Sequence, residues 1–191
     1  MRMLEIILAM FFVGFSDLAV ADSCNPQSTT TKDISSCIMG LYGLTDKKLN
    51  RQYSELLKSN DFHQKNLLMD GERLWVRFRD AYCNYIFDSN YPGEEAEIER
   101  FSCLLSLTSA RTVELIYIET GARSGEMFNL MRAIAEISPK SRGEILNYIE
   151  GKTLPPEGSA YFEKNCELTK ILHEEIVSTC KKRMKFQNIQ Y

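Results

Sequence analysis

The sequence lacks the residue patterns that would indicate a catalytic or metal-binding protein. It contains only two histidines, and no Cys-x-x-Cys pair occurs in its 191 residues. Without such a pair, neither a zinc site nor a thioredoxin-like redox site has local support. Ser-His-Asp, Cys-His and glycine-rich phosphate-binding patterns are missing as well. We therefore expect a protein that is not an enzyme and that binds no metal ion or cofactor.

A strong charge of one sign is also missing. The chain has 23 lysines and arginines against 26 aspartates and glutamates, which gives a formal net charge of -3. Nucleic-acid-binding domains are usually basic, so we do not expect nucleic acid as a partner. The apolar fraction of 44% and the mixed charged fraction of 26% are typical of a globular protein rather than a disordered one.

The first residues carry a targeting pattern. Arg2 precedes an apolar run from Ile6 to Phe15, and the small residues Ala19-Val20-Ala21 follow. This order is typical of a secretory signal peptide that is cleaved after its last small residue. The run of about 10 residues is too short to span a bilayer, which takes roughly 20. We therefore expect residues 1–21 to be a signal peptide, export to a periplasm or the exterior, and no transmembrane span.

The periodicity of apolar residues predicts an all-α protein. Apolar side chains recur at three- and four-residue steps over 34–58, 61–87 and 95–119, with Asp33 as the cap of the first helix and Asn60 or Asp61 as that of the second. Further helices are predicted over 125–137, 141–150 and, as one long helix, 161–186, with a linker at 154–158. The expected architecture is an antiparallel three-helix bundle over residues 22–119, stapled by disulfides and followed by a helical C-terminal extension over 120–191.

Export makes disulfides the expected state of the six cysteines, which are Cys24, Cys37, Cys83, Cys103, Cys166 and Cys180. An up-down-up bundle brings the first four to one end, where three pairings are open. Among them we favour Cys24–Cys83 together with Cys37–Cys103. The last two lie on one predicted helix, about 21 Å apart along its axis, which is too far for a disulfide unless that helix breaks. Each is then free, bridged elsewhere or linked to a second chain.

Several short motifs in the first half resemble a known family. The chain carries the runs Asp46-Lys47-Lys48-Leu49-Asn50, Leu74-Trp75-Val76-Arg77-Phe78-Arg79-Asp80-Ala81-Tyr82-Cys83 and Leu107-Thr108-Ser109-Ala110-Arg111. Over residues 24–118 it resembles the LprI-type domain, a family of exported bacterial helical proteins named for a lysozyme inhibitor. The resemblance implies a small helical domain with the motif residues Asp46, Leu49, Asn50, Trp75, Arg79, Asp80 and Arg111. We expect structural roles for them in the core and between helices.

Two functions fit these observations. The first is inhibition of a lysozyme or another cell-wall hydrolase, with the turn between the second and third helices as the contact and Ser89, Asn90, Tyr91, Glu94 and Glu95 as candidate partner-binding residues. The glutamates would steer a basic hydrolase toward this turn. The alternative is a non-inhibitory structural or interaction protein of the envelope. In that case the apolar face of the C-terminal helix would pair with a second copy, as a homodimer, or with another partner.

Overall fold

The computed structural model describes residue 24, residues 28–122, residues 132, 136 and 139, and residues 141–153 and 155–188. Within these residues the chain forms six α-helices and no strand, which confirms the all-α class. The helices are α1 (Thr31–Lys58), α2 (Lys65–Asn90), α3 (Ala96–Thr120), α4 (Arg142–Gly151), α5 (Pro156–His173) and α6 (Val177–Asn188). The helix predicted over 125–137 lies outside the described residues, apart from 132 and 136.

The first two helices begin at residues other than the predicted caps. Thr30 caps α1, because its hydroxyl accepts a hydrogen bond from the backbone N–H of Asp33. The cap of α2 is Gln64 rather than Asn60 or Asp61. The non-helical connection between the helices carries Phe62, which is buried in the core. Burial of this ring holds the chain out of helical geometry for a few residues beyond the predicted start.

Helix α3 lies at the centre of the first three helices. It runs parallel to α1, since the Tyr42 and Phe101 rings are 6.4 Å apart and Gln52 hydrogen-bonds to Glu119 further along both helices. It runs antiparallel to α2. Its central place explains why α3 is long and apolar enough to resemble a membrane-crossing helix. The residues responsible, such as Leu107, face the core.

The disulfides join cysteines that are close along the chain. Cys24 bonds to Cys37, Cys83 to Cys103 and Cys166 to Cys180. The favoured pairing of Cys24 with Cys83 and of Cys37 with Cys103 is therefore wrong. The antiparallel packing of α2 and α3 sets Cys83 opposite Cys103, with Cα atoms 5.6 Å apart. Cys24, on the segment before α1, then closes onto the first turns of that helix.

The single long C-terminal helix was also predicted wrongly. Helix α5 ends at His173, and Glu174 adopts the left-handed conformation with φ 54°. The chain reverses there, so that α6 packs back against α5 and brings Cys180 within 5.7 Å of Cys166 between Cα atoms. The predicted linker over 154–158 is likewise shorter than expected. Helix α5 already begins at Pro156, in a position where proline needs no backbone N–H.

The C-terminal helices complete the main core. The Phe78 ring of α2 lies 5.9 Å from Tyr161 and 6.0 Å from Phe162, both on α5, measured between ring centroids. One cluster of buried residues includes side chains from α1, α2, α3, α5 and α6. Helix α4 begins and ends one residue later than predicted, with Ser141 in a capping box, and packs through a small separate cluster against Phe186 of α6. The extension therefore shares its core with the N-terminal bundle.

Candidate interaction site at the turn between α2 and α3

Residues 88–95, here called the α2–α3 turn, form an ordered and exposed surface. The backbone N–H of Tyr91 donates to the Phe87 carbonyl at 2.9 Å, and that of Gly93 donates to the Asn90 carbonyl at 2.7 Å. The peptide bond between Tyr91 and Pro92 is cis. All eight residues of the turn are exposed. The backbone hydrogen bonds fix the shape in which the turn meets solvent.

The turn rests on a cross-linked base. The disulfide between Cys83 and Cys103 is fully buried and joins the end of α2 to the start of α3. Above it, the rings of Phe87 and Tyr91 are 5.7 Å apart, and the Arg100 guanidinium lies 5.9 Å from the Phe87 ring centroid. Such a base limits the conformations of the turn before any partner binds, which lowers the entropic cost of binding.

The structure separates the predicted partner-binding residues into two groups. The Ser89 hydroxyl donates to the Tyr85 carbonyl and the Asn90 amide to the Ile86 carbonyl, each at 2.8 Å. These two polar groups therefore bind their own helix. Tyr91, by contrast, leaves 68% of its surface exposed, and Glu94 and Glu95 are exposed beside it. The side chains available to a partner are those of the last three residues.

The end of the bundle that carries the turn is acidic. Five exposed carboxylates lie on the turn or in the first turn of α3, namely Asp88, Glu94, Glu95, Glu97 and Glu99. The carboxylates at the start of α3 also interact favourably with the positive end of its dipole. The nearby Arg100 packs over Phe87 and is only partly exposed. This end of the protein presents a negative surface around the exposed ring of Tyr91, and Tyr85 on α2 is equally exposed just before the turn.

Gly93 is the position where the turn tolerates no side chain. A Cβ atom there would lie 2.7 Å from the backbone oxygen of Asn90, so the Gly93→Ala substitution must displace the backbone. We expect it to lower the free energy of unfolding by at least about 1 kcal/mol, measured by urea denaturation. Gly43→Ala in α1 is the matched control, because no atom lies within 4 Å of its Cβ position. It should stabilise the protein by about 0.5–1 kcal/mol.

One ion pair between motif residues joins α1 to α2. The Arg79 guanidinium contacts the Asp46 carboxylate at 3.6 Å and the Asp80 carboxylate at 2.8 Å. It also lies 4.8 Å above the ring of the buried Trp75. The Asn50 amide donates to Asp46 at 2.9 Å, and Leu49 is buried. These contacts give the motif a packing role, at some distance along α2 from the turn.

Comparison with known proteins shows a similarity over the first three helices. Residues 23–115 match the family model described as lysozyme inhibitor LprI. The match includes α1, α2, most of α3 and two of the three disulfides. Over residues 23–115 the chain is similar to the LprI family, and these residues are here called the LprI domain. The protein from Escherichia coli (strain K12) named "Uncharacterized protein YecT" is 29% identical over 122 residues, which cover 54% of this chain and 75% of that protein. No solved structure matches the chain.

The motif arginine of the LprI domain reaches beyond the domain. Arg111 is buried and donates to Glu72 of α2 at 2.9 Å, and also to Tyr161 at 3.2 Å and Asn165 at 2.7 Å, both on α5. Burial alone would lower the pKa of Arg111, but the oxygens of Tyr161 and Glu72 raise it above its ordinary value. Arg111 therefore stays charged and links three helices.

A second buried ion group ties α6 to the LprI domain. Arg183 contacts both carboxylate oxygens of Glu114 on α3, and it contacts Glu175 through two hydrogen bonds of 3.1 and 2.9 Å. Asn165 joins this group to Arg111, because its amide donates to Glu114. Sequence analysis did not single out Glu114, Asn165, Glu175 or Arg183. The available signal was the position of Glu114 and Arg183 directly beside the buried Leu115 and Met184.

Proposed function

We propose that this protein is an exported binding protein that inhibits a lysozyme-type cell-wall hydrolase and has no catalytic activity of its own. The match of residues 23–115 to the lysozyme inhibitor LprI family carries the proposal. The three disulfides support export to an oxidising compartment, either a periplasm or the exterior. The signal-peptide prediction for residues 1–21 agrees with this location.

The α2–α3 turn is the proposed contact, with Tyr91 as the residue that enters the hydrolase cleft. Lysozymes hydrolyse their substrate with two carboxylates that face each other across the cleft. The Tyr91 hydroxyl is a hydrogen-bond donor on an exposed ring, so it suits a site lined by carboxylate acceptors. Tyrosine is also among the residues that most often dominate the binding energy of an interface.

The carboxylates around Tyr91 suit a hydrolase with a basic rim. Glu94 and Glu95 flank the aromatic ring, and like charges in the cleft centre would repel them if they entered it. We therefore place them against cations at the cleft edge and leave the centre to the neutral tyrosine. Exposed charges of this kind act mainly on the rate of association. Charge reversal at Glu94 and Glu95 should slow binding most at low salt.

The proposal is tested by lysozyme clearing of a bacterial cell-wall suspension in the presence of the oxidised protein. We expect dose-dependent loss of clearing, and we expect Tyr91→Ala to raise the half-inhibitory concentration by roughly ten- to a hundredfold. Tyr148→Ala is the matched control, since that tyrosine is 50% exposed but lies on α4. It should inhibit as well as the unsubstituted protein.

The outcomes separate the activity from the site. If the unsubstituted protein inhibits and Tyr91→Ala inhibits equally, the function stands and the α2–α3 turn is not the contact. If a large molar excess leaves several lysozymes fully active, the inhibitor proposal is overturned, whatever the variants do. The similarity to the LprI family is unaffected by either result, because a shared fold does not settle activity.

The alternative is an envelope interaction protein that forms a homodimer through its C-terminal helices. The exposed Ile171 and Ile176, at 51% and 69%, support such a contact at the junction of α5 and α6. Leu172 packs against the protein's own core and would contribute little. A dimer mass in light scattering that Ile171→Ser and Ile176→Ser abolish would favour this alternative. A monomer at all concentrations would exclude it.

A further inference from the structure

The outer face of α1 carries four exposed cations, Lys47, Lys48, Arg51 and Lys58, here called the basic stripe. They lie on the side of the helix opposite Leu49 and Leu56, which are each 2% exposed in the core. At 100° per residue, all four fall within an arc of about 100°, and the stripe is about 16 Å long. The one acidic side chain on this arc is Glu55.

The four cations of the stripe share the absence of a carboxylate partner. Ion pairs hold seven of the described lysines and arginines: Arg73, Arg79, Arg111, Lys164, Lys181, Lys182 and Arg183. Within the part of the chain that the structure describes, none of the four stripe cations has an ion pair with a carboxylate. Their charge is therefore available to an external anion at no cost of breaking an internal contact.

The stripe is a local feature and not a result of overall composition, because the chain has a net charge of -3. It also lies away from the acidic α2–α3 turn. The contact between Tyr42 and Phe101 fixes the register of α1 against α3. From that contact, the stripe continues toward the end of α1, whereas the turn precedes the start of α3. The same bundle thus presents two surfaces of opposite sign.

We propose that the basic stripe binds a linear polyanion with phosphate-like charges along its length. Lysine and arginine are the side chains that bind phosphate oxygens most strongly, and a row of them matches a chain of repeated anions. The site shares no residue with the α2–α3 turn, so it does not depend on hydrolase inhibition. An exported protein bearing it would be held at polymers that carry phosphodiester groups.

The distribution of apolar residues on α1 favours a polymer over a bilayer surface. A helix that lies on a membrane places apolar side chains beside its cations and buries them among the lipids. On α1 the exposed apolar residues Ile34, Met39 and Leu41 all precede the stripe. Along the stripe itself the exposed residues are charged or polar. The stripe therefore offers electrostatic contacts without an inserting face.

The test uses the disulfide-bonded protein and fluorescently labelled linear inorganic polyphosphate, with binding followed by anisotropy. We expect saturable binding at low salt, with an affinity that falls with salt at a logarithmic slope of about -3 for four cations. Substitution of all four stripe cations by glutamine should weaken binding at least tenfold and bring the slope close to zero. Because the stripe faces away from the core, we expect the variant to fold, and circular dichroism checks that it does.

The matched control replaces four other exposed or partly exposed cations, Lys32, Lys65, Arg77 and Lys170, by glutamine. It changes the net charge equally, and we expect a loss of affinity below threefold. An equal loss in both variants would assign binding to overall charge and overturn the site. Failure of the unsubstituted protein to bind polyphosphate would overturn it as well. Tighter binding to phosphatidylglycerol vesicles than to polyphosphate, compared at equal phosphate concentration, would exclude a polymer as the ligand.

Discussion

Replacement of Arg183 by methionine is expected to lower the free energy of unfolding by about 3–5 kcal/mol. Arg183 is 7% exposed and lies between Glu114 and Glu175, which are each 1% exposed. Burial by itself would lower the pKa of the guanidinium, but the two carboxylates raise it above its ordinary value. Methionine fills a similar volume and removes the charge, so two carboxylates would remain buried without their cation.

The measurement is urea unfolding followed by circular dichroism, with Arg73→Met as the control. Arg73 pairs with Asp70 at 2.9 Å, but both side chains are more than half exposed. Solvent screens such a pair, and its loss should cost less than about 1 kcal/mol. A loss below 1 kcal/mol for Arg183→Met as well would mean that the buried group is hydrated and does not hold α6 in place.

A compensating variant separates the charge from the packing of Arg183. Glu114→Gln and Glu175→Gln, added to Arg183→Met, remove the two carboxylates that the first substitution leaves unpaired. If uncompensated charge is the cause of the loss, the triple variant should recover a large part of the stability. If the lost packing of the arginine side chain is the cause, the triple variant should remain as unstable as Arg183→Met.

The sequence was sufficient to predict the helices of the LprI domain. It was not sufficient to predict the contacts that determine where the helices begin and which cysteines form disulfides. The periods of α1, α2 and α3 were visible because each helix has one apolar face. The pairing of Cys83 with Cys103 depends on how far two antiparallel helices are shifted along each other. Hydrophobic periodicity does not specify that shift, so the pairing could not be derived from it.

The reversal at Glu174 was hidden for a different reason. Helix ends are usually marked by glycine or proline, and residues 173–177 contain neither. A left-handed glutamate is unfavourable by itself and persists only when surrounding contacts determine it. Here the Cys166–Cys180 disulfide spans the reversal, and Glu175, the residue that follows it, contacts Arg183. Both contacts involve residues well outside 173–177, so the local sequence carries no sign of them.

The exposure of the α2–α3 turn could be predicted from the sequence, and its role as a partner contact stays a prediction. The cluster of turn formers over 88–93 correctly indicated an exposed connection, although α2 continues through its first three residues. The roles of Ser89 and Asn90 as donors to their own helix could not be read from residue type, because the same groups serve caps, turns and partners. The boundary at residue 119 between two domains stays a prediction, and the shared core makes it open to a direct test.

The fragment of residues 22–119 is expected to lack a stable native fold, although it contains the entire LprI match. Removal of α5 uncovers Phe78 of α2, and it takes away two of the groups that Arg111 binds, on Tyr161 and Asn165. Of these partners, only Glu72 would still bind Arg111. Loss of two large aromatic side chains from one core typically costs several kcal/mol, which is comparable to the whole stability of a domain.

Trp75 reports on this prediction, because it is the single tryptophan of the chain and is 1% exposed in the same core. We expect the fragment to show red-shifted tryptophan emission and no cooperative urea transition. A peptide of residues 155–188 with its disulfide closed should restore both signals when added, because it supplies α5 and α6. The same peptide with Tyr161→Ala should restore them poorly, since that side chain is fully buried against Phe78 and Arg111.

Cooperative unfolding of the fragment alone, at the midpoint of the full chain, would instead show that the two native disulfides it retains suffice for the LprI fold. The C-terminal helices would then be an addition to the domain and not a part of its core.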